Sequence, residues 1–242
     1  MRAIGRFVAS VLVVTGALLI ADVVVTLLWE EPVSALITHR EQAHLSGQLK
    51  TLERLSSADA RALTNVRRGR LEALARRERA RVGSGHALGR ILLPTLGRSY
   101  VIVQGTDSAS LRKGPGHYPD TALPGQPGTV AIAGHRTTYL APFRTINDLH
   151  PGDPLVLQMP YGRFTYRVQE SRVVLPTALW VTRDVGYPRL VLSACEPLYS
   201  ASHRIVVFAK LTEAPIDAES RDASNSTSTT TSASDTTSTA SQ

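Results

Sequence analysis

The chain changes its hydrophobic rhythm three times. Residues 7–29 are almost uninterruptedly apolar, with Asp22 as the one ionisable side chain, and a helix of that length rises about 34 Å, enough for a hydrocarbon layer of about 30 Å. Arg2 and Arg6 precede the run, and Glu30 and Glu31 follow it. That asymmetry predicts a cytoplasmic N-terminus (1–6), a single-pass transmembrane anchor (7–29) and an extracellular remainder held at the cell membrane. From 33 to 81, Leu36, Leu45, Leu49, Leu52, Leu55, Leu63, Val66, Leu71 and Leu74 recur mostly at three- and four-residue steps. This is a helical period, and it predicts a basic amphipathic stalk over 30–87, closed by a hinge at Gly83-Ser84-Gly85.

After 88 the period shortens. Runs at 90–93, 99–103, 129–133, 154–159, 163–170, 171–175, 189–193 and 204–211 are rich in Val, Ile, Tyr and Phe and are separated by Gly and Pro. Phe164, Tyr166 and Val168 alternate with Thr165, Arg167 and Gln169, as a half-buried strand requires. Eight short strands predict a mainly β barrel or sandwich over 88–213. The stretch 114–128 carries too many breakers for a strand or a long helix and reads as a surface loop. Residues 214–242 end in a Ser/Thr-rich tail; 14 of its last 20 residues are Ser or Thr and none is aromatic or branched aliphatic, which predicts disorder.

Charge and cysteine count narrow the chemistry. The net charge of +7 is matched by residues 40–90 alone, so it belongs to the stalk and describes a solvated face, not a nucleic-acid partner. One cysteine, Cys195, excludes an intramolecular disulfide and a Cys-rich zinc site. A free thiol outside the cell is a liability unless it is used. Cys195 follows Leu190-Val191-Leu192 and precedes Glu196-Pro197, so it is expected at a strand end, facing the barrel mouth. His135, one of seven histidines, ends the run 130–134. Arg204 opens the last strand nine positions after Cys195, with an eight-residue loop between them. A thiol, an imidazole and a guanidinium at three strand ends are the parts of an acyl-transfer site: nucleophile, proton donor and oxyanion donor.

Those residues resemble the sortases. The resemblance rests on Ala133-Gly134-His135, Leu192-Ser193-Ala194-Cys195 and Arg204 behind an N-terminal anchor. Gly114-Pro115-Gly116-His117-Tyr118-Pro119, Thr121-Ala122-Leu123-Pro124-Gly125 and Gly134-His135-Arg136-Thr137-Thr138-Tyr139 are similar to class E members of actinobacteria, with class D the near alternative. The resemblance implies an eight-stranded β-barrel with short helices, acting as a cysteine transpeptidase of the Gram-positive cell wall. It implies cleavage of a Leu-Pro-x-Thr-Gly-like signal (Leu-Ala-x-Thr-Gly in class E) between Thr and Gly, through a thioester, with transfer of the secreted protein to a cell-wall amine and with no metal or other cofactor. Cys195, His135 and Arg204 take the catalytic positions, and Tyr118, Tyr139 and Ala194 the substrate-lining ones. Ala194 departs from the family's Thr before the cysteine, which puts rate and motif preference in question. Two other classes compete. An L,D-transpeptidase also uses a thiol, but its Ser-x-Gly-Cys-x-Arg run is missing; a non-catalytic tethered scaffold would carry an unreactive Cys195.

Overall fold

A computed structural model describes residues 2–28, 32–62 and 67–215. The expected tail from 216 onward lies outside the described residues. Helix α1 spans Arg2–Leu28, α2 Pro32–Ala62 and α3 Arg67–Arg81. Eight strands follow: β1 (Ala87–Leu93), β2 (Arg98–Gln104), β3 (Gly116–His117), β4 (Thr129–Ala133), β5 (Pro154–Met159), β6 (Gly162–Val174), β7 (Arg189–Glu196) and β8 (His203–Glu213), with a short helix α4 (Ser108–Leu111) between β2 and β3. They close a barrel in the order β1-β2-β3-β4-β7-β8-β6-β5, which settles barrel against sandwich.

The strand count matches expectation through two compensating differences. The runs expected at 163–170 and 171–175 form one strand, β6, which ends at Val174, because it passes its polar middle with register shifts and keeps pairing to β8. The breaker-rich segment contains β3, whose Gly116 and His117 are buried and bridge β2 to β4. It is therefore in part a barrel wall instead of a surface loop. A side chain at Gly116 would stand 2.2 Å from the Gly105 carbonyl, so only glycine lets the two backbones approach this closely.

Pleat alternation divides the core into an inner and an outer part. Val130, Ile132, Leu190, Leu192, Ala194, Ile205, Val207 and Ala209 point into the barrel with Phe164 and Tyr166. Ala131, Val191, Val206 and Phe208 face outward and form their own cluster, covered by Tyr118, Val174 and Val181. Both faces of β4, β7 and β8 are thus dry, which is why these strands read as continuous apolar runs.

The helices expected as a stalk pack on this barrel. Leu45 and Leu49 of α2 are buried against Ala87, Val101 and Val103, each burial stabilising the docking by about 1.5–3 kcal/mol. Leu71, Leu74 and Ala75 of α3 join the main core, as does Val82 just after the helix. Along α1 the described apolar side chains, among them Phe7, Leu12, Val13, Leu18 and Ile20, are exposed. Among the described residues no helix is long and apolar enough to cross a membrane. The expected anchor also takes in 22–29, whose side chains lie outside the description.

Candidate active site

Strand register builds the site. β4 and β7 run parallel with Ala133 beside Ser193, and the Gly134 N–H extends the ladder by donating to the Ser193 carbonyl at 3.0 Å. Cys195 lies two residues beyond Ser193 within β7, and His135 two residues beyond Ala133, just past the end of β4; neighbouring strands are spaced about 4.8 Å apart. β7 and β8 run antiparallel with Cys195 directly opposite Arg204. Opposite residues of an antiparallel pair share a face, so the thiol and the guanidinium project to the same side. That side is the outer one, shared with Val191 and Ser193, so Cys195 does not face the barrel mouth as expected. The connection between β7 and β8 is also shorter than expected, residues 197–202, because both strands extend past the apolar runs that announce them.

Cys195 is a free, half-buried thiol. Arg204 Nη1 donates to the Ala201 and His203 carbonyls at 3.0 and 2.9 Å, which fixes the guanidinium at the start of β8. The His135 ring lies 5.2 Å from that of Tyr139, centroid to centroid. Its burial, and then the nearby charge of Arg112, hold the imidazole below the usual histidine range, so the neutral form is favoured. The His135 carbonyl accepts from Phe143 N–H at 3.0 Å, and Phe143, fully buried, packs against Gly134. Directly after this, Tyr139, Leu140 and Ala141 adopt φ of 52°, 64° and 38°. Three consecutive non-glycine residues in the left-handed region store strain of roughly 1 kcal/mol or more each. Neighbouring groups hold the turn: Arg98 Nη1 donates to the Ala141 carbonyl at 3.1 Å, and Ala141 N–H to that of Thr138 at 2.8 Å.

The Tyr118 hydroxyl is 3.1 Å from Ser193 Oγ, on the thiol's own face two residues away. Ala194 does not line that face. It is 3% exposed and points inward among core residues, because the residue next to an outward cysteine must turn the other way. Arg136 escaped the sequence reading, although it sits within the histidine motif. It is buried, pairs with the Glu196 carboxylate, donates to Asn147 Oδ1 at 2.7 Å and to the Arg144 carbonyl at 3.2 Å, and reaches the carbonyl of Cys195 itself at 3.3 Å. One guanidinium therefore ties the histidine loop to the end of β7.

The outer wall carries a second buried guanidinium. Arg189 donates to the Val181 and Arg183 carbonyls at 2.8 and 2.9 Å and stacks over Phe208, whose ring also stacks with Trp180. This pins the segment between β6 and β7 beside the site. Among the described residues no group of three His, Cys, Asp or Glu side chains is arranged to hold a metal ion.

A sortase-domain family model matches residues 91–212, half of the chain. The chain belongs to the sortase family. Sortase D of Bacillus subtilis is 33% identical over 131 residues, covering 52% of this chain and 65% of that protein. Sortase SrtE1 of Streptomyces coelicolor is 33% identical over 147 residues, covering 54% and 41%. This sortase thus spans between about two-fifths and two-thirds of those relatives' lengths. The crystal structure of sortase E1 from Streptomyces coelicolor, with a tripeptide in its active site, superposes with a TM-score of 0.52 at 29% identity, over 54% of this chain and 91% of that one. Sortase E of Streptomyces avermitilis gives 0.51 at 34% identity, over 56% and 95%.

Proposed function

We propose that this sortase is a membrane-anchored cysteine transpeptidase that cleaves a Leu-Ala-x-Thr-Gly or Leu-Pro-x-Thr-Gly-like signal between Thr and Gly and passes the new carboxyl end to a cell-wall amine. The observation that supports the reading is the pair of registers around β7: antiparallel pairing sets Cys195 opposite Arg204 on β8, and parallel pairing sets Ser193 beside Ala133, two residues before His135. Likeness to both a sortase D and a sortase E1 supports the reaction class. The exposed apolar side chains of α1 support its insertion in the membrane, and Arg2 and Arg6 before the run, with Glu30 and Glu31 after it, support a catalytic domain outside.

In this mechanism the Cys195 thiolate attacks the Thr carbonyl carbon, and a bond forms to Sγ while the carbonyl electrons move to oxygen. Arg204 supplies the oxyanion donor; a guanidinium carries five N–H groups, and among the described residues its Nη1 bonds the Ala201 and His203 carbonyls. The tetrahedral adduct collapses with loss of the C–N bond to Gly, and imidazolium His135 gives its proton to the departing amine. The incoming amine then attacks the thioester, loses its proton to neutral His135 and releases the Cys195 sulfur. Tyr118, whose hydroxyl meets Ser193, and Tyr139, whose ring meets His135, would contact the signal peptide in this reading.

The test is a panel of Leu-x-x-Thr-Gly peptides offered to the full chain in detergent micelles, with intact-mass detection of an acyl adduct at Cys195. The preferred second residue assigns the signal, and Cys195→Ala abolishes both adduct and turnover. A chain that forms no adduct with any member of the panel contradicts the reading.

A further inference from the structure

α2 is fastened to the barrel along one side, and that side ends at the histidine loop. Gln42 bonds the β2 backbone as a strand would: its Oε1 accepts from Val101 N–H at 2.7 Å, and its Nε2 donates to the carbonyls of Val101 and Lys113 at 3.1 and 2.7 Å. One turn earlier, the buried Thr38 hydroxyl is shared between the carbonyls of Ser34 and Arg112, at 2.9 and 3.0 Å. One turn earlier still, buried Ser34 accepts from the backbone N–H of Tyr139 at 3.3 Å. Arg112 lies over the Tyr139 ring at 5.9 Å, and Tyr139 lies against His135. The helix therefore grips the first residue of the left-handed turn through Ser34, and through Thr38 it grips the backbone of the arginine that covers that residue's ring.

We propose that Ser34 and Thr38 are positioning residues for His135: the first turns of α2 hold the left-handed Tyr139–Ala141 turn, and the Tyr139 ring in turn sets the packing of the imidazole. The proposal rests on His135 being the proton donor of the reaction proposed above, and it makes a helix outside the barrel part of the apparatus that orients it. A left-handed run of three residues persists only where its surroundings over-determine it. The Ser34 bond constrains the residue that touches the ring, so its loss lets the turn relax and Tyr139 swing away.

The test compares the full chain in detergent micelles with Ser34→Ala, Ser34→Thr and the double variant Ser34→Ala/Leu140→Asn. Asparagine tolerates the left-handed region better than leucine and lowers the turn's need for a clamp. Three readouts are taken: kcat and KM on a Leu-Ala-x-Thr-Gly peptide, the titration of the His135 ring by NMR of histidine-labelled protein, and the unfolding midpoint. Ser34→Ala is expected to lose kcat by roughly 10-fold, as displaced catalytic groups do, with a rise in KM because Tyr139 leaves the peptide it contacts. Its His135 titration moves up toward the ordinary histidine value because the ring is uncovered. Ser34→Thr keeps the hydroxyl and behaves as the parent, and Leu140→Asn recovers both readouts. The proposal is overturned if Ser34→Ala titrates and turns over as the parent does. It is equally overturned if rate and unfolding midpoint fall together with no change at His135, or if Leu140→Asn recovers nothing. Should the parent chain turn over no peptide, the transpeptidase reading fails by itself, while the His135 titration still decides the clamp.

Discussion

Replacing Gly134 with alanine adds one methyl group at the joint between β4 and His135. Its Cβ would stand 2.4 Å from Phe143 Cδ2 and 2.8 Å from two further ring carbons, where ordinary contact begins near 3.4 Å. The ring is 0% exposed and cannot swing into solvent, so ring or strand must yield by about 1 Å. Overpacking of this kind costs about 1–3 kcal/mol. For a chain of this size that lowers the unfolding midpoint by roughly 5 °C, and the rate suffers separately. Phe143 N–H bonds the His135 carbonyl, so its displacement is passed to the imidazole, and an error of about 1 Å there lowers acylation by up to 10²-fold. Circular-dichroism melting and single-turnover acylation of Cys195 read the two effects. Phe143→Leu removes the clashing ring edge, so the Gly134→Ala/Phe143→Leu pair should show favourable coupling in a double-mutant cycle. A Gly134→Ala chain that melts within about 1 °C of the parent and acylates at the parental rate refutes the close-approach argument.

Three further outcomes follow from the site and its supports. Arg112→Gln removes the second cause of the lowered His135 pKa; the pKa rises, the acidic limb of the kcat/KM profile moves to higher pH, and the imidazolium–thiolate fraction grows, all readable in one pH series. Buried His117 is held at about 4 by its desolvation, against 6.5 when unfolded, so the fold stays neutral there while the unfolded chain takes up a proton. Stability present above pH 6.5 is therefore lost as pH falls toward 4, by up to about 3 kcal/mol, and His117→Gln should flatten that slope in melting curves. Arg136→Gln leaves the Glu196 carboxylate without its cation and the Cys195 carbonyl without its donor; a loss of about 3 kcal/mol in denaturant unfolding, with slower acylation, is expected.

Apolar patterning carried the sequence reading where it was strong. β4 and β5 have the bounds that their runs predict, and the three candidate residues stand out because His135 and Cys195 each follow such a run and Arg204 opens one. β3 was hidden because two residues among glycines and prolines have no period, and their pairing to β2 and β4 is a long-range event. The polar middle of β6 reads as a break, although bulges carry the strand through it. Ala194 was assigned to the wrong face by motif position, where pleat alternation counted from Leu190 and Leu192 would have turned it inward. The heptad-like spacing of Leu45, Leu49 and Leu52 announces a buried face on α2 without naming its partner, and Gln42 and Ser34 look like solvated polar residues until β2 and Tyr139 are beside them. Arg136 carries the same lesson: a charged residue is presumed wet until the carboxylate and carbonyls that surround it are placed.

The parallel pairing of β4 with β7 has one more consequence. The spacing of Cys195 and His135, the proposed nucleophile and acid, is set sideways, by two adjacent backbones, and not along the chain, where more than fifty residues intervene. Within that stretch, the segment between β6 and β7, residues 175–188, can lengthen, shorten or be exchanged without moving the two residues apart, provided the ladder survives. Diversification of what such an enzyme accepts is thereby uncoupled from the reaction it performs, and grafting a foreign segment between β6 and β7 onto this barrel is a practical route to new selectivity.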